Sequence, residues 1–127
     1  MWRVAIYAHE IAGRRGRVRL DHQVQNLVGQ VARQPGWRHV ATYADQAPGG
    51  AGPSLARLLA DAPGHLDLVV VDDYGRLSPN RHELAVILDR LRWVGVGVVV
   101  LRPSRGHRLA KLVANLALAD LVGEAAH

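Results

Sequence analysis

Leu66 to Val71 reads LDLVVV, and Asp72 to Ser78 continues it as DDYGRLS. A continuous Val-rich run of this length suits a strand of a parallel sheet covered on both faces. Working outward, Arg3–Ala8 (RVAIYA) is a second short, β-rich apolar run that ends in polar residues. His39–Ala44 (HVATYA) and Val94–Leu101, with Gly95 and Gly97 inside it, complete four predicted strands. The intervening segments carry helical spacing. From Leu20 the apolar positions fall at Val24, Leu27, Val28 and Val31, and Pro35-Gly36 stops the pattern. Leu55, Leu58 and Leu59 mark a short helix ended by Pro63-Gly64; Leu84, Ile87, Leu88 and Leu91 mark another after Pro79. Arg108 to Gly123 reads as a long final helix, with Gly13–Arg17 and Ala47–Pro53 as loops. Strict alternation of strand and helix predicts an α/β fold: a mainly parallel sheet of four to five strands, flanked by helices.

A chain of 127 residues has room for one domain, expected to span 1–127. It holds no cysteine, which excludes a disulfide framework, a Cys-based zinc site and a thiol nucleophile. No apolar run approaches the roughly 18–20 residues of a membrane span, and Arg14, Arg15 and Arg17 follow the first apolar run instead of preceding it, against a signal peptide. A soluble, cytoplasmic protein with no membrane partner is the expectation. Lys plus Arg number 16 against 11 for Asp plus Glu, and Lys111 is the only lysine. Arginine's planar fork suits phosphate, which points to nucleic acid; a GC-rich coding bias produces the same excess.

In parallel sheets, sites gather at the carboxyl ends of strands. Those ends offer His9, Glu10, Asp45, Asp72, Asp73 and Arg102. Gly13-Arg14-Arg15-Gly16 has neither dinucleotide-binding spacing nor a Walker lysine. Asp72 and Asp73 are adjacent, so their side chains are expected to point to opposite faces as solvated charges that do not converge. The seven histidines show no ligand spacing, and neither metal nor cofactor is expected. Ser54 is expected to cap the short helix; Ser78 and Ser104, in loops next to prolines, read as turn residues.

Taken in order, RVAIYA, Leu20-Asp21-His22-Gln23, Thr42–Asp45 (TYAD) and Leu66–Ser78 resemble the catalytic domains of serine recombinases of the resolvase and invertase type. The resemblance runs from about Arg3 to Leu101, and the segment from Gly106 is similar to the family's long terminal helix. It implies a resolvase-like α/β fold that forms a homo-oligomer through that helix. The implied chemistry is attack of a serine on a DNA phosphate, with arginines stabilising the transition state. Carried over residue by residue, the family positions retained are Tyr7, Gln23, Asp45, Asp67 and Arg76. The nucleophile falls on Ile11, an alkyl group; the arginine two residues earlier falls on His9. Further family positions fall on Gly52, Gly75 and Pro79, so that most of the arginine cluster is absent. The helix-turn-helix or larger DNA-binding region that usually follows the long helix is not visible in this sequence.

The resemblance therefore implies a degenerate member, a non-catalytic oligomerising or regulatory module. Its contact with DNA would be sequence-tolerant and would run through Arg14, Arg15, Arg17, Arg19 and Arg76. Two alternatives stand beside it. One is a divergent active recombinase using a displaced serine, Ser54 or Ser78. The other is a small α/β enzyme or ligand-binding domain with His9, Asp45 and Arg76 around a pocket.

Overall fold

The computed structural model describes residues 1–46 and 52–102. Along the chain run β1 (Trp2–Glu10), α1 (Arg14–Ala32), β2 (Trp37–Gln46), α2 (Pro53–Asp61) and β3 (Leu68–Val71). A single 3₁₀ turn (Tyr74–Arg76), α3 (Arg81–Trp93) and β4 (Gly97–Val100) follow. The strands pair in the order β2-β1-β3-β4, and every pair is parallel. This is the sheet expected from the Val-rich runs. The final helix expected over Arg108–Gly123, Ser104 and residues 47–51 of the glycine-rich loop lie outside the described residues.

Burial follows the two-sided strand pattern. Val4, Ala5, Ile6, Tyr7 and Ala8 are all fully buried, because β1 has a neighbour on each edge and helices on both faces. Ala5 and Tyr7 join Val69 and Val71 in the core beneath α2 and α3. Val4, Ile6 and Ala8 join Leu68 and Val70 in the core beneath α1, against Leu27 and Val31. The sheet is therefore a wall between two apolar layers, and strand alternation assigns each side chain to one of them.

The pairing of β1 with the edge strand β2 is not uniform. Val4 stands opposite His39, but Ala5 stands opposite Ala41, so Val40 is an extra residue in β2. That is a bulge, and Val40 is 40% exposed there.

One expectation fails at α1. Gly13–Arg17 is not a loop; the helix begins at Arg14. Gly13, at φ +99°, turns the chain out of β1, and its carbonyl accepts the Arg17 N–H at 3.0 Å. Gly16 is buried against the Ile11 backbone, where a Cβ would sit 1.9 Å from the Ile11 carbonyl oxygen. Apolar spacing misses this turn because its arginines all face solvent; the two glycines were its signal. Among the described residues, no helix is long and apolar enough to cross a membrane.

Candidate functional site

In this strand order the connection from β1 leads to one side of the sheet through β2 and to the other through β3, so their carboxyl ends part at a topological switch point. Glu10 closes β1, Asp72 follows β3, and a solvent-open cleft of about 420 Å³ lies between them, bounded by Arg76, Arg102 and Gln23. Gln23 fastens α1 to this end of β1. Its side-chain carbonyl accepts the His9 N–H at 2.9 Å and its amide donates to the His9 carbonyl at 3.2 Å.

Arg76 occupies the floor of the cleft. Its Nη1 donates to the His9 carbonyl at 2.8 Å and to Glu10 Oε2 at 2.9 Å. Its Nε donates to Asp73 Oδ2 at 3.3 Å, and its Nη2 lies 3.8 Å from Asp72 Oδ2. Asp72 in turn receives a two-point fork from Arg102, with Nε donating to Oδ1 at 2.9 Å and Nη2 to Oδ2. The hydrogen bonds to that carboxylate, and then its charge, raise the Arg102 pKa above its ordinary value. Two expectations are corrected here. Asp72 is buried at 5% exposure, so it is no solvated strand-end charge. Asp72 and Asp73 also meet on one cation, because the 3₁₀ turn immediately after them carries Arg76 back under both.

Tyr7 and Asp45 belong to the opposite face. The Tyr7 hydroxyl donates to Asp45 Oδ2 at 2.8 Å inside the core beneath α2. The backbone N–H groups of Ser54 and Leu55 donate to the two oxygens of the same carboxylate, each at 3.0 Å. Burial alone would raise the Asp45 pKa; the Ser54 N–H, the Tyr7 hydroxyl and the Leu55 N–H together hold it below its ordinary value. Burial first, and the hydrogen bond to Asp45 second, push the Tyr7 pKa far up. Against expectation, Ser54 does not cap α2 with its side chain; Asp45 reaches across from the end of β2 and caps it instead. The N-cap residue Gly52 leaves the space for this, since a Cβ there would lie 2.5 Å from the Asp45 carboxyl carbon. An arginine at this position would displace Asp45.

The remaining sequence-predicted residues scatter. Asp67 stands at the amino end of the sheet, far from the cleft. It accepts the Arg3 N–H at 2.7 Å and the Arg3 Nε and Nη2 donors at 3.2 Å. Burial would raise its pKa, but these Arg3 donors hold it below the usual value. Gly75 is the middle residue of the 3₁₀ turn and Pro79 follows that turn; neither lines the cleft. Ile11 is 58% exposed just past β1, its carbonyl held by Gln46 Nε2 at 3.2 Å and by the close approach of Gly16. Ser78 lies in the loop before α3, as expected, but is 1% exposed, and its Oγ accepts the Asn80 N–H at 3.1 Å. His9, Asp45 and Arg76 do not line one pocket, because Asp45 is enclosed beneath α2 while Arg76 faces the cleft on the α1 side.

Arg14, Arg15, Arg17 and Arg19 project from the first turns of α1, all exposed. Four positive charges on the positive end of a helix dipole repel one another and the helix terminus. Arg14 and Arg17 border a second open cleft of about 570 Å³ with Gly13, Val18 and Gln46. Arg19 borders the Arg76 cleft instead. Sequence reasoning placed Glu10, Asp72 and Arg102 at strand ends but not which charges pair. Opposite charges at the ends of neighbouring strands were the available signal. Among the described residues, no group of three or more histidine or carboxylate side chains is placed to hold a metal ion.

The family model for the resolvase N-terminal domain matches residues 14–119. The chain belongs to this family. Solved structures agree on the fold. The C-terminal catalytic domain of ISC1926 TnpA, an IS607-like serine recombinase, superposes with a TM-score of 0.71 at 22% identity, covering 90% of this chain and 77% of that one. The N-terminal catalytic domain of TP901-1 integrase gives 0.70 at 23% identity, covering 96% and 95%. A resolvase family site-specific recombinase from Streptococcus pneumoniae gives 0.70 at 16% identity, covering 94% and 88%. A comparison with curated proteins finds no match. The resolvase-family membership implied by the sequence motifs and the parallel α/β fold are thus established together.

Proposed function

We propose that this chain is a resolvase-fold module that cannot cleave DNA itself and that serves DNA recombination by assembling with further copies and holding duplex non-specifically. Ile11 carries the reading. It stands where the family resemblance puts the serine nucleophile, and an exposed alkyl side chain offers no lone pair to phosphorus. Gly16 and Gln46 fix the backbone around it. Ser78 is enclosed, and the Ser54 backbone is committed to Asp45. DNA contact is assigned to Arg14, Arg15, Arg17 and Arg19, which are exposed and adjacent. Self-assembly is assigned to the leucine-rich segment from Arg108 to Gly123.

The test joins two measurements. The protein is incubated with supercoiled duplex and denatured in detergent; no covalent protein–DNA adduct is expected. An adduct that disappears in Ser54→Ala, Ser78→Ala or Ser104→Ala overturns the reading in favour of an active recombinase. Binding to duplex of arbitrary sequence is then followed against salt. Four arginine–phosphate contacts predict a log–log slope of about −3.6; binding indifferent to salt removes the assigned contact.

A further inference from the structure

The outer face of α3 carries apolar side chains that nothing among the described residues covers. Leu84, Ile87, Leu88 and Leu91 turn inward to the core. On the other side Val86 is 55% exposed and Trp93 83%. Tryptophan is highly buried on average, so its exposure here is a departure. Seven residues separate it from Val86, and the two fall within about 20° of one line along the helix. Asp89 and Arg90 lie between them, each about 50° to one side of that line. Both are exposed, and neither side chain forms an ion pair among the described residues. The face is thus an apolar seam with an unpaired acid on one flank and an unpaired base on the other. Paired helices choose partner and direction through flanking charges of this kind.

We infer that the α3 face pairs with the same face of a second copy, the two helices running parallel about a two-fold axis. In that arrangement Val86 meets Val86, Trp93 meets Trp93, and Asp89 stands opposite the partner's Arg90 on both flanks. An antiparallel pairing over the same seam would set acid against acid on one flank and base against base on the other. Nucleic acid fits the face less well, because Asp89 stands beside the middle of the seam and repels phosphate. The 13 residues of α3 make a face about 20 Å long and 10 Å wide. That is too small for the roughly 800 Å² per partner of a stable interface, so this contact acts beside another. In that respect the inference rests on the assembly assigned above to Arg108–Gly123, and it adds the surface and direction of a further contact. α3 and α1 cover opposite faces of the sheet. Two copies joined through α3 therefore keep both sets of α1 arginines outward, free to hold duplex.

The chain holds no cysteine, so one introduced thiol reports one contact. In the parallel pair, two copies of Val86→Cys meet within disulfide reach; the antiparallel alternative holds them about 10 Å apart. Under mild oxidation Val86→Cys is expected to cross-link about tenfold faster than Gln25→Cys, an exposed control on α1. Adding Asp89→Arg should slow the Val86→Cys cross-link by about tenfold, because two opposite-charge pairs become two repulsive ones. Adding Arg90→Asp instead should slow it as much. Mixing these two double variants should restore the rate, since each supplies the charge that the other lacks. All the substituted positions are exposed, and circular dichroism checks that each variant folds. Equal rates for Val86→Cys and Gln25→Cys overturn the inference, and so does a mixture as slow as its components. Sedimentation of the wild-type chain keeps the two readings apart. A wild type that oligomerises while Val86→Cys fails to cross-link removes the α3 contact and leaves assembly through Arg108–Gly123 standing. A wild type that stays monomeric at high concentration removes both.

Discussion

Asp45 and Asp72 are both buried carboxylates at the carboxyl end of a strand, and they are satisfied in opposite ways. Asp45 receives one hydroxyl and two backbone N–H groups, all neutral donors fixed by the fold. Asp72 receives guanidinium groups from Arg102 and Arg76 on long side chains that reach in from solvent. Neutral donors leave the negative charge in place and lock three elements together: β1, β2 and α2. Guanidinium partners cancel the charge and lock little, since two flexible side chains must also be ordered. Asp45 is therefore an architectural group, and the Asp72 cluster is a charge device laid over an architecture that does not depend on it.

Two substitutions can break this contrast. Asp45→Ala leaves the Tyr7 hydroxyl and two N–H groups of α2 without their acceptor inside the core, and should cost roughly 3 kcal/mol or more. Arg76→Ala removes the ion pair of the buried Glu10 at a solvent-open cleft while Asp72 keeps the Arg102 fork, and should cost less, about 1.5–2 kcal/mol. Urea unfolding of the two variants measures both; equal losses would erase the distinction.

The extremes of pH sharpen it. Asp45 and Asp67 have pKa values lowered by folding, so the stability they supply is complete above about pH 4, the unfolded carboxylate range, and is lost as pH falls below it. Tyr7, Tyr43 and Tyr74 are raised, chiefly by burial: Tyr43 and Tyr74 to about 12, and Tyr7 further. Their contribution is complete below about pH 10 and disappears as pH climbs toward the folded values. These are the only three tyrosines in the chain, so phenolate absorbance should appear together with loss of circular dichroism above pH 10. Phenolate signal from all three tyrosines in a chain that is still folded would show that the Tyr7–Asp45 core is open to water.

The smallest expected effect carries a reversal of sign. Arg14 and Arg15 sit unfavourably at the start of α1, so Arg14→Glu/Arg15→Glu should stabilise the free protein by about 0.3–1 kcal/mol and weaken DNA binding. A variant that loses both stability and DNA binding would mean these arginines serve the fold.

The sheet was readable in the sequence because burial on both faces writes itself as unbroken apolar runs. Val69 to Val71 and Val4 to Ala8 leave no other assignment. The start of α1 was not readable from apolar spacing, since nothing in Arg14–Arg19 needs to be buried except Gly16, whose role is to lack a side chain. Family motifs located Tyr7, Gln23, Asp45 and Arg76. They did not reveal that the sheet divides the set, with Tyr7 and Asp45 under α2 and Gln23 and Arg76 on the α1 side. Alternation along β1 contains that information, but only once the strand order fixes which helix covers which face. The pairing of Asp72 with Arg102 depends on β3 and β4 being neighbours, a fact of topology that no local pattern carries.

The extra residue at Val40 bears on how the protein survives at high concentration. Among the described residues, β2 is a long strand on the outer rim of the sheet, the kind of template onto which a stranger's backbone can zip. With Val40 inserted, the spacing of its outward amides and carbonyls is broken near the middle, and Arg38 and His39 stand beside the break. A flat, regular strand from another chain would find its register lost after a few residues. The irregularity thus guards the open rim against runaway strand addition, and leaves association to surfaces that can be specific.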